Sequence, residues 1–394
     1  MERAASTMAD IASAGILNAE QSDKFIDYVY DESVLKNIAR LERVTATERT
    51  IEKIGVGNRV AYPKAEAADP QIRRMINSSK VTLNPVEIIV PFEVGDRLKR
   101  YNIEGDSIED HIVKMMATQL ANNLDQLWLD GNTVGAARLE GDIFDDGSTT
   151  LYVKDKYLAL FNGFLKQAES GNVVDAANAA LSGTVFNKAI LAMPTKYRRN
   201  RNALRFMVSP DHGQGYREVM SQRATAVGDT ASLSDVNLTP FGIPMVEVPL
   251  LERNPLYVEN SVANTDGTTA TSLTYKPIDN LVLAPTTLNE NPTAKYILST
   301  DYSESETNGT WTRLGAGSIG SGATVKATYD TRGKMILTDP SNLILAIQKD
   351  GIRVESDRNI YKGVDEYAIT VSVDCVIENT DAIVLVKNIK DPTL

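Results

Sequence analysis

Residues 315–320, Gly-Ala-Gly-Ser-Ile-Gly, match the spacing of a dinucleotide-binding fingerprint. That chemistry needs a strand before the glycines and a helix after them, because the helix N-terminus holds the pyrophosphate. Here the residues that follow, 321–325, favour a strand, and the surrounding sequence indicates no crossover helix. The segment therefore indicates a flexible turn rather than a nucleotide site.

Ser209, Asp211 and His212 supply the residue types of a hydrolase triad in a single short segment. Residues so crowded do not converge in the geometry of a triad, which is assembled from distant parts of a fold. The sequence also contains no Gly-x-Ser-x-Gly elbow. These positions instead indicate a capping residue, Ser209 or Asp211, that begins a helix carrying Tyr216 and Val219.

Two charged clusters are the remaining candidates. One of them, Asp142, Asp145 and Asp146, could hold Ca²⁺ or Mg²⁺ weakly, but it lacks the spacing of a calcium loop, so a solvated turn is favoured. The other is basic and consists of Lys196, Arg198, Arg199, Arg201 and Arg205 around Tyr197. Because nucleic-acid platforms interleave several aromatic residues, a subunit contact or a solvated surface is at least as well supported there.

The composition excludes several classes of function. The 394 residues include one cysteine and two histidines, which excludes internal disulfides and cysteine-rich zinc clusters and leaves little for imidazole chemistry. The net charge of −11 disfavours avid non-specific DNA binding. No apolar run is long enough to cross a bilayer, and residues 1–5 lack the apolar core of a signal peptide. We expect at least two packing units in a reducing, cytosol-like compartment, or release from one by lysis.

The elements that position these residues begin with an arm. Within residues 16–43, Phe25, Ile26 and Val29 and then a second short apolar stripe predict narrow amphipathic helices. So narrow a stripe needs a partner surface. The residues alone leave open whether that surface belongs to the same domain or to a neighbouring subunit.

A two-stranded excursion follows the arm. Residues 45–62 and 81–90 are β-prone, and the segment 63–79 between them is polar and charged. An isolated two-stranded hairpin is barely stable in water, so we predict that this one lies on another subunit. With Phe25, Ile26 and Val29 of the arm, the candidate contact residues are Lys64, Glu66, Arg73, Arg74 and Lys80.

Helical patterns dominate the next part of the chain. The strongest helix is predicted over 107–130, where apolar residues including Met115 form one continuous face and Gly131 ends the helix. Another helix is predicted over 154–170. Further helices are predicted over 185–192 and 211–223, and strands over 204–208 and 243–248.

The last third of the chain favours strands. Residues 254–333 are rich in Thr, Ser, Asn and Gly and show no helical stripe, which predicts a β-rich insertion. Residues 366–378 alternate apolar and polar side chains, a pattern typical of a half-buried strand. Cys375 falls on the apolar side, which indicates a small buried hydrophobe rather than a reactive thiol. A final strand is predicted over 381–389.

In this order the parts resemble the major capsid proteins of tailed bacteriophages, which have the Hong Kong 97-like fold. The resemblance covers residues 16–394 apart from the insertion. The segments that carry it are 15–35 in the arm, Leu127 to Asn132 at the end of the long helix, Met193 to Arg198, Phe241 to Pro244, Gly351 to Glu355, and the strand from Tyr367.

The resemblance implies an α+β capsid fold with a defined order of domains. These would be an N-terminal arm (1–45), an extended two-stranded loop (46–96), a peripheral domain (97–175) with the spine helix 107–130, an axial domain (176–253), a β-rich inserted subdomain (254–333), and return strands to both domains (334–394). The arm and the extended loop would reach across neighbouring subunits, and the axial domain would meet its symmetry mates in pentamers and hexamers.

The resemblance further implies a structural, non-catalytic function. The chain would build an icosahedral shell that encloses double-stranded DNA without sequence-specific binding, assembled in the host cytoplasm and present in the virion. No cofactor, metal or membrane is expected. Many relatives carry a cleaved N-terminal scaffolding segment, for which this arm begins too early. A portal and a separate scaffolding or decoration protein are therefore the expected partners besides the chain itself.

Two other functions remain open from the sequence. An encapsulin-type compartment would use a similar fold to hold enzymes instead of DNA. A carbohydrate- or cell-surface-binding module would use residues 254–333 as its binding part and would form a monomer or small oligomer.

Overall fold

The computed structural model describes residues 35, 38–45, 48–55, 77–95, 108–135, 137–139, 151–222, 238–251, 255–286, 293–348 and 353–392. In these residues the chain forms four α-helices and twenty-one strands. The fold is therefore mixed α+β with few helices and many strands, as predicted. Most of the arm predicted over 16–43 lies outside the described residues.

The helices and strands have the following bounds. The helices are α1 (Ile108–Asp130), α2 (Phe164–Ala168), α3 (Gly183–Ala192) and α4 (Pro210–Ser221). The first strands are β1 (Arg40–Val44), β2 (Arg49–Gly55), β3 (Asn77–Leu83), β4 (Val86–Gly95), β5 (Ala137–Leu139), β6 (Leu151–Lys154), β7 (Asn172–Asp175), β8 (Arg205–Val208) and β9 (Met245–Glu247). The others are β10 (Leu256–Val262), β11 (Thr271–Ser272), β12 (Ile278–Pro285), β13 (Thr293–Ala294), β14 (Tyr302–Ser305), β15 (Thr310–Arg313), β16 (Thr324–Thr331), β17 (Gly333–Thr338), β18 (Leu343–Gln348), β19 (Arg353–Asn359), β20 (Val364–Ile377) and β21 (Ile383–Ile389).

The first sheet is built on β20, its longest strand. β4 pairs antiparallel along one edge of β20, β18 and β19 share the other edge, and β1 adds to β18 in parallel. Alternate apolar residues of β20, Val371, Val373 and Cys375, are buried in one core with α1 and α2. The predicted period-two strand and the buried position of Cys375 are confirmed.

The second sheet has the strand order β7-β21-β17-β8-β9. Met335 and Leu337 of β17 are buried with α3 and α4, whereas Ile336 belongs to the core formed with α1 and α2. Both faces of this sheet are therefore covered, which explains why Met335–Leu337 of β17 and Ile383–Val386 of β21 are apolar in succession rather than alternating. We call the two five-stranded sheets with their helices the body.

Residues 255–331, which we call the β subdomain, form two further sheets. One has the order β10-β16-β12 and the other β11-β15-β14. Their common core is rich in aromatic side chains, and Tyr275, Trp311 and Tyr329 are each at most 1% exposed. The short strand β13 pairs with β6, which itself pairs with β5.

Two elements differ from their sequence-based predictions. The helix predicted over 154–170 is helical only in α2, because the Asp155 carboxylate accepts the N–H groups of Tyr157 and Leu158, both at 3.1 Å, and makes a turn there. The β-prone run 81–90 is two strands rather than one. It divides at residues 84–85, where Pro85 has no N–H for a ladder and the Asn84 N–H bonds a side chain.

The long helix occupies 108–130, close to the predicted span, and its end is fixed by a close backbone crossing. The Gly163 N–H donates to the Gly131 carbonyl at 2.7 Å, and a Cβ on Gly131 would lie 2.6 Å from the Phe161 carbonyl oxygen. Glycine is therefore required at this position by the crossing chain. Met115, predicted on the apolar face, is instead 61% exposed.

Candidate functional site

The glycine-rich segment 315–320 forms turns that wrap around a carboxylate. The Ser318 N–H donates to Asp301 Oδ1 at 2.6 Å, and a Cβ on Gly317 would lie 2.5 Å from the Asp301 Cα. The segment leads into β16 and not into a helix. The predicted turn is confirmed, and the helix that a pyrophosphate site requires does not follow it.

The residues of the apparent triad pack at the start of α4. Ser209 occupies the N-cap position, but its side chain makes no capping hydrogen bond. His212 is 2% exposed and lies against Gly333, where a Cβ would be 2.2 Å from the imidazole Cε1. Its Nε2 is 4.0 Å from Asp391 Oδ1. His212 therefore packs α4 against β17 and the end of the described chain.

The basic cluster around Tyr197 lies on surface turns. Lys196 is exposed, and its Nζ lies 4.5 Å from the centre of the Tyr197 ring. The Tyr197 hydroxyl accepts a hydrogen bond from Asn379 Nδ2 at 2.5 Å, which fixes the ring against the body. Arg205 donates to the backbone carbonyls of Asn202 and Leu204. The cluster offers exposed positive charge but, as predicted, no row of aromatic rings among the described residues.

The acidic cluster at 142–146 lies outside the described residues. In the part of the chain that the structure describes, no three or more His, Cys, Asp or Glu side chains gather in a way that could hold a metal ion. Within the same residues, no helix is long and apolar enough to span a membrane.

The two-stranded hairpin β2–β3 is firmly rooted in the first sheet. Its register runs antiparallel from Arg49 opposite Leu83 to Gly55 opposite Asn77. At the root, Leu83 is fully buried with Val44 and with Ile344, on the face of the sheet away from α1. The root therefore belongs to the body, while the strands lead away from this small core.

Further along the hairpin the side chains are exposed. Lys80, one of the predicted contact residues, faces Glu52 at 3.8 Å, and the two side chains are 66% and 64% exposed. An ion pair so exposed contributes little to stability. The other predicted contact residues lie outside the described residues: Phe25, Ile26, Val29, Lys64, Glu66, Arg73 and Arg74.

A buried carboxylate holds the link between the hairpin and β4. Asp374 Oδ2 accepts the Asn84 N–H at 2.8 Å, and its Oδ1 accepts the Cys375 N–H at 2.8 Å. Burial raises the pKa of Asp374 to about 6, although these two hydrogen bonds act in the opposite direction. Ionising this carboxyl therefore costs more in the folded chain than in the unfolded one, although it is mostly ionised at pH 7.

We expect Asp374→Asn to gain stability relative to the natural chain as the pH rises from 4 to 7.5. A raised folded-state pKa contributes stability that is fully present below the ordinary carboxyl pKa and lost as the pH rises through about 6. The amide cannot ionise, so the variant avoids this loss of up to about 3 kcal/mol. Its nitrogen cannot accept the second backbone N–H, a cost that is the same at every pH. Urea denaturation across this pH range measures the difference, and the exposed Asp381→Asn is the control. A difference that does not depend on pH would contradict this prediction.

The contact between the β subdomain and the body is a cluster of charged and aromatic side chains. We call it the junction cluster, and its members are Lys166, Glu169, Tyr257, Tyr275, Lys334 and Lys387. Glu169 is its centre: Oε1 accepts from the Tyr275 hydroxyl at 2.5 Å, and Oε2 accepts from Tyr257 at 2.9 Å and from Lys166 at 2.8 Å. Burial raises the pKa of both tyrosines, which keeps them as hydrogen-bond donors.

Lysine ammonium groups lie over the tyrosine rings of the junction cluster. Lys334 Nζ is 5.0 Å from the centre of the Tyr257 ring and 4.6 Å from that of Tyr275. Lys166 lies over Tyr257 at 4.8 Å, and Lys387 lies over Tyr275 at 4.9 Å. Such cation–π contacts are strongest where water is excluded. They join α2, β17 and β21 of the body to the β subdomain.

Other polar contacts complete this junction. Lys326 of β16 donates to the carbonyls of Val134 and Gly135, the latter at 2.9 Å. On the other side, Arg332 bridges Asp279 at 2.9 Å and Asp391 at 2.8 Å. The junction is therefore held by directional polar contacts made from several separate elements.

Sequence reasoning missed the junction cluster. Its members come from distant parts of the chain, and no spacing rule joins them. One local signal existed: a lysine directly before the apolar run Met335–Leu337, where a charged side chain needs a buried partner.

The chain is similar to phage capsid proteins in sequence and in fold. A protein of Bacillus subtilis (strain 168) that carries the provisional name prophage capsid protein YqbE is 25% identical over 393 residues, covering 99% of this chain and 98% of that protein. A solved structure of the satellite phage P4 procapsid including size determination protein matches at a TM-score of 0.54 and 11% identity, covering 97% of this chain and 93% of the matched chain.

A second solved structure gives the same result. The capsid of a native GTA particle matches at a TM-score of 0.51 and 14% identity, covering 99% of this chain and 95% of the matched chain. No family model matches the chain. The predicted resemblance to phage capsid proteins is confirmed, and the shared fold extends over almost the whole chain.

Proposed function

We propose, from this likeness to phage capsid proteins, that the chain is a structural protein that builds a phage-type capsid shell and is not an enzyme. The observation that carries the proposal is the share of the chain that the similar proteins match. The Bacillus relative and the two solved capsid structures each match nearly all of the chain rather than one of its sheets. The candidate catalytic segments within the described residues have structural roles, as the packing of Asp301 and His212 illustrates.

In this proposal, copies of the chain assemble into the pentamers and hexamers of an icosahedral shell. The first sheet with α1 and α2 would form the peripheral domain, the second sheet with α3 and α4 the axial domain, and the β subdomain the inserted part. Exposed apolar side chains support a chain completed by its neighbours: Met115, Ile360 and Tyr361 are 61%, 78% and 102% exposed. A second copy would cover such surface.

The hairpin β2–β3 would be the base of the extended loop, which with the arm reaches across neighbouring subunits. Its root is fully buried in the body, whereas Glu52 and Lys80 further along are mostly exposed. This contrast supports the proposal, because a hairpin anchored at one end needs another surface to cover the rest.

The shell would enclose double-stranded DNA without sequence-specific contacts. A net charge of −11 supports this, because a shell that gripped phosphates tightly would hinder both packaging and release. A portal protein, and a separate scaffolding or decoration protein, would be the other partners. Assembly would take place in the host cytoplasm, and the product would be found in the virion.

Negative-stain microscopy of the expressed full-length chain tests the proposal. We expect shells, capsomers or sheets, with nucleic acid when particles are recovered from infected or induced cells. A monodisperse small species at every concentration, also with a scaffolding protein supplied, would overturn it. Co-purified cargo enzymes in place of DNA would indicate an encapsulin-type compartment, and a small glycan-binding oligomer would indicate a surface-binding module.

A further inference from the structure

Among the described residues, the β subdomain and the body do not share an apolar core. The apolar cluster containing Tyr275, Trp311 and Tyr329 includes only members of the β subdomain. The three described clusters of the body include none of its residues. The two parts are therefore joined by the polar contacts of the junction, which depend on charge and geometry rather than on buried apolar area.

Lys334 is the least expected member of that junction. It is 3% exposed, and its Nζ lies over two tyrosine rings. The two carboxylate oxygens of Glu169 already accept from Lys166 and from both tyrosine hydroxyls. A cavity of about 70 Å³ is lined by Lys334 and also by Asp130 and Asn132. Lys334 thus brings a third ammonium group to the two tyrosine rings that Lys166 and Lys387 already face.

Charged groups act on Lys334 from α1, from the end of α2 and from β21. The carboxylates of Asp130 on α1 and Glu169 at the C-cap of α2 favour its protonated form, whereas the ammonium groups of Lys166 on α2 and Lys387 on β21 oppose it. Tyr257 and Tyr275 of the β subdomain stay neutral, because burial raises the pKa of both hydroxyls. Two like charges and deep burial therefore act against the proton on Lys334 whenever the junction is closed.

We propose that the junction is a proton-linked latch: the β subdomain docks most tightly on the body when Lys334 is neutral, so docking releases a proton. This inference goes beyond the shell function and does not depend on it. It gives a buried lysine a role in controlling how firmly the β subdomain is held.

The direction of the pH dependence follows from the protonation of Lys334 in the docked and the undocked forms. Burial lowers the pKa of Lys334 to about 8 in the docked form, whereas an undocked, solvated lysine keeps its ordinary value. Between these two values the docked form binds fewer protons, so docking strengthens as the pH rises. From pH 7 to pH 9 the docking equilibrium is expected to shift about tenfold toward the docked form.

Hydrogen exchange of the full-length chain tests the latch. The opening equilibrium of backbone amides in β10 and β16 is measured at pH 7 and pH 9. It is normalised to that of α3, which removes the effect of pH on the chemical rate of exchange. In the natural chain we expect opening to fall about tenfold. Lys334→Met, which has no titrating group, should open equally at both pH values and less than the natural chain at pH 7.

A neighbouring lysine provides the matched control. Lys326 is also buried at the junction, but it donates to two backbone carbonyls. Lys326→Met should open more at both pH values and retain the pH dependence. The latch is overturned if the natural chain shows no fall in opening, or if Lys334→Met shows the same fall.

Should Lys334→Met fail to fold, competitive labelling of lysines in the natural chain gives the pKa of Lys334 directly. A depressed pKa supports the latch, and an ordinary lysine pKa overturns it. Shell assembly is not a readout in either experiment, so the outcome is independent of the proposed function.

Discussion

A chain in which residues 56–76 are replaced by the dipeptide Asn-Gly is expected to fold normally and to form no shells. The design follows from the register, because Gly55 and Asn77 lie directly opposite each other at the open end of β2 and β3. An Asn-Gly turn joins such a pair without changing the register. The buried root formed by Val44, Leu83 and Ile344 is untouched. Only the part proposed to cover a neighbouring subunit is lost.

Thermal denaturation and negative-stain microscopy together measure this outcome. The shortened chain should unfold within a few degrees of the natural one, because surface changes away from packed residues have small effects on stability. The charge-conserving double substitution Arg73→Lys with Arg74→Lys is the control and should still assemble. Normal shells from the shortened chain would refute the role proposed for this segment.

Trp311→Ala should unfold the β subdomain and leave the body folded. Trp311 is 1% exposed, and its Nε1 donates to Ser261 Oγ at 2.9 Å. Trp311 lies on β15 and Ser261 on β10, so the side chain joins the two sheets of the β subdomain. Removing a buried tryptophan costs about 3–5 kcal/mol, a large share of what so small a unit can supply.

Trp311→Ala leaves Trp128 as the one tryptophan of the chain, so fluorescence then follows the body and hydrogen exchange of β10 and β16 follows the β subdomain. Trp128 lies in α1 and is 2% exposed, so its fluorescence reports the body. In Trp311→Ala the Trp128 signal should change at the same urea concentration as in the natural chain. Trp311→Phe, which keeps an aromatic ring, should lose far less stability in the β subdomain. A shift of the Trp128 transition comparable to that of the β subdomain would show that the two parts fold as one unit.

The spacing of apolar residues predicted the helices and strands whose buried face repeats at one regular interval. The alternation of residues 366–378 identified β20, and the apolar stripe that begins at Ile108 identified α1, because strands and helices repeat their buried face every two and every 3.6 residues. The predicted helices over 185–192 and 211–223 also match α3 and α4 within a few residues.

Prediction failed where one side chain redirected the backbone. The apolar stripe at 154–170 remains buried through Leu158, Phe161 and Phe164, but the Asp155 carboxylate bonds the backbone and most of the segment is not helical. The run 81–90 divides because the Asn84 N–H is bonded to Asp374, far away in sequence. Neither event has a signature in the spacing of apolar residues.

The sequence by itself determined the class of this protein. One cysteine, two histidines and a net charge of −11 left little for catalysis, and the order of arm, excursion, long helix and strands indicated the resemblance to capsid proteins. These features are local or compositional, and folding does not alter them. Only the tertiary structure decided that Glu169 at the C-cap of α2, Lys334 of β17 and Tyr257 of β10 meet in one buried cluster. Their energies depend on burial and on distances across the fold, and neither quantity exists until the chain has folded.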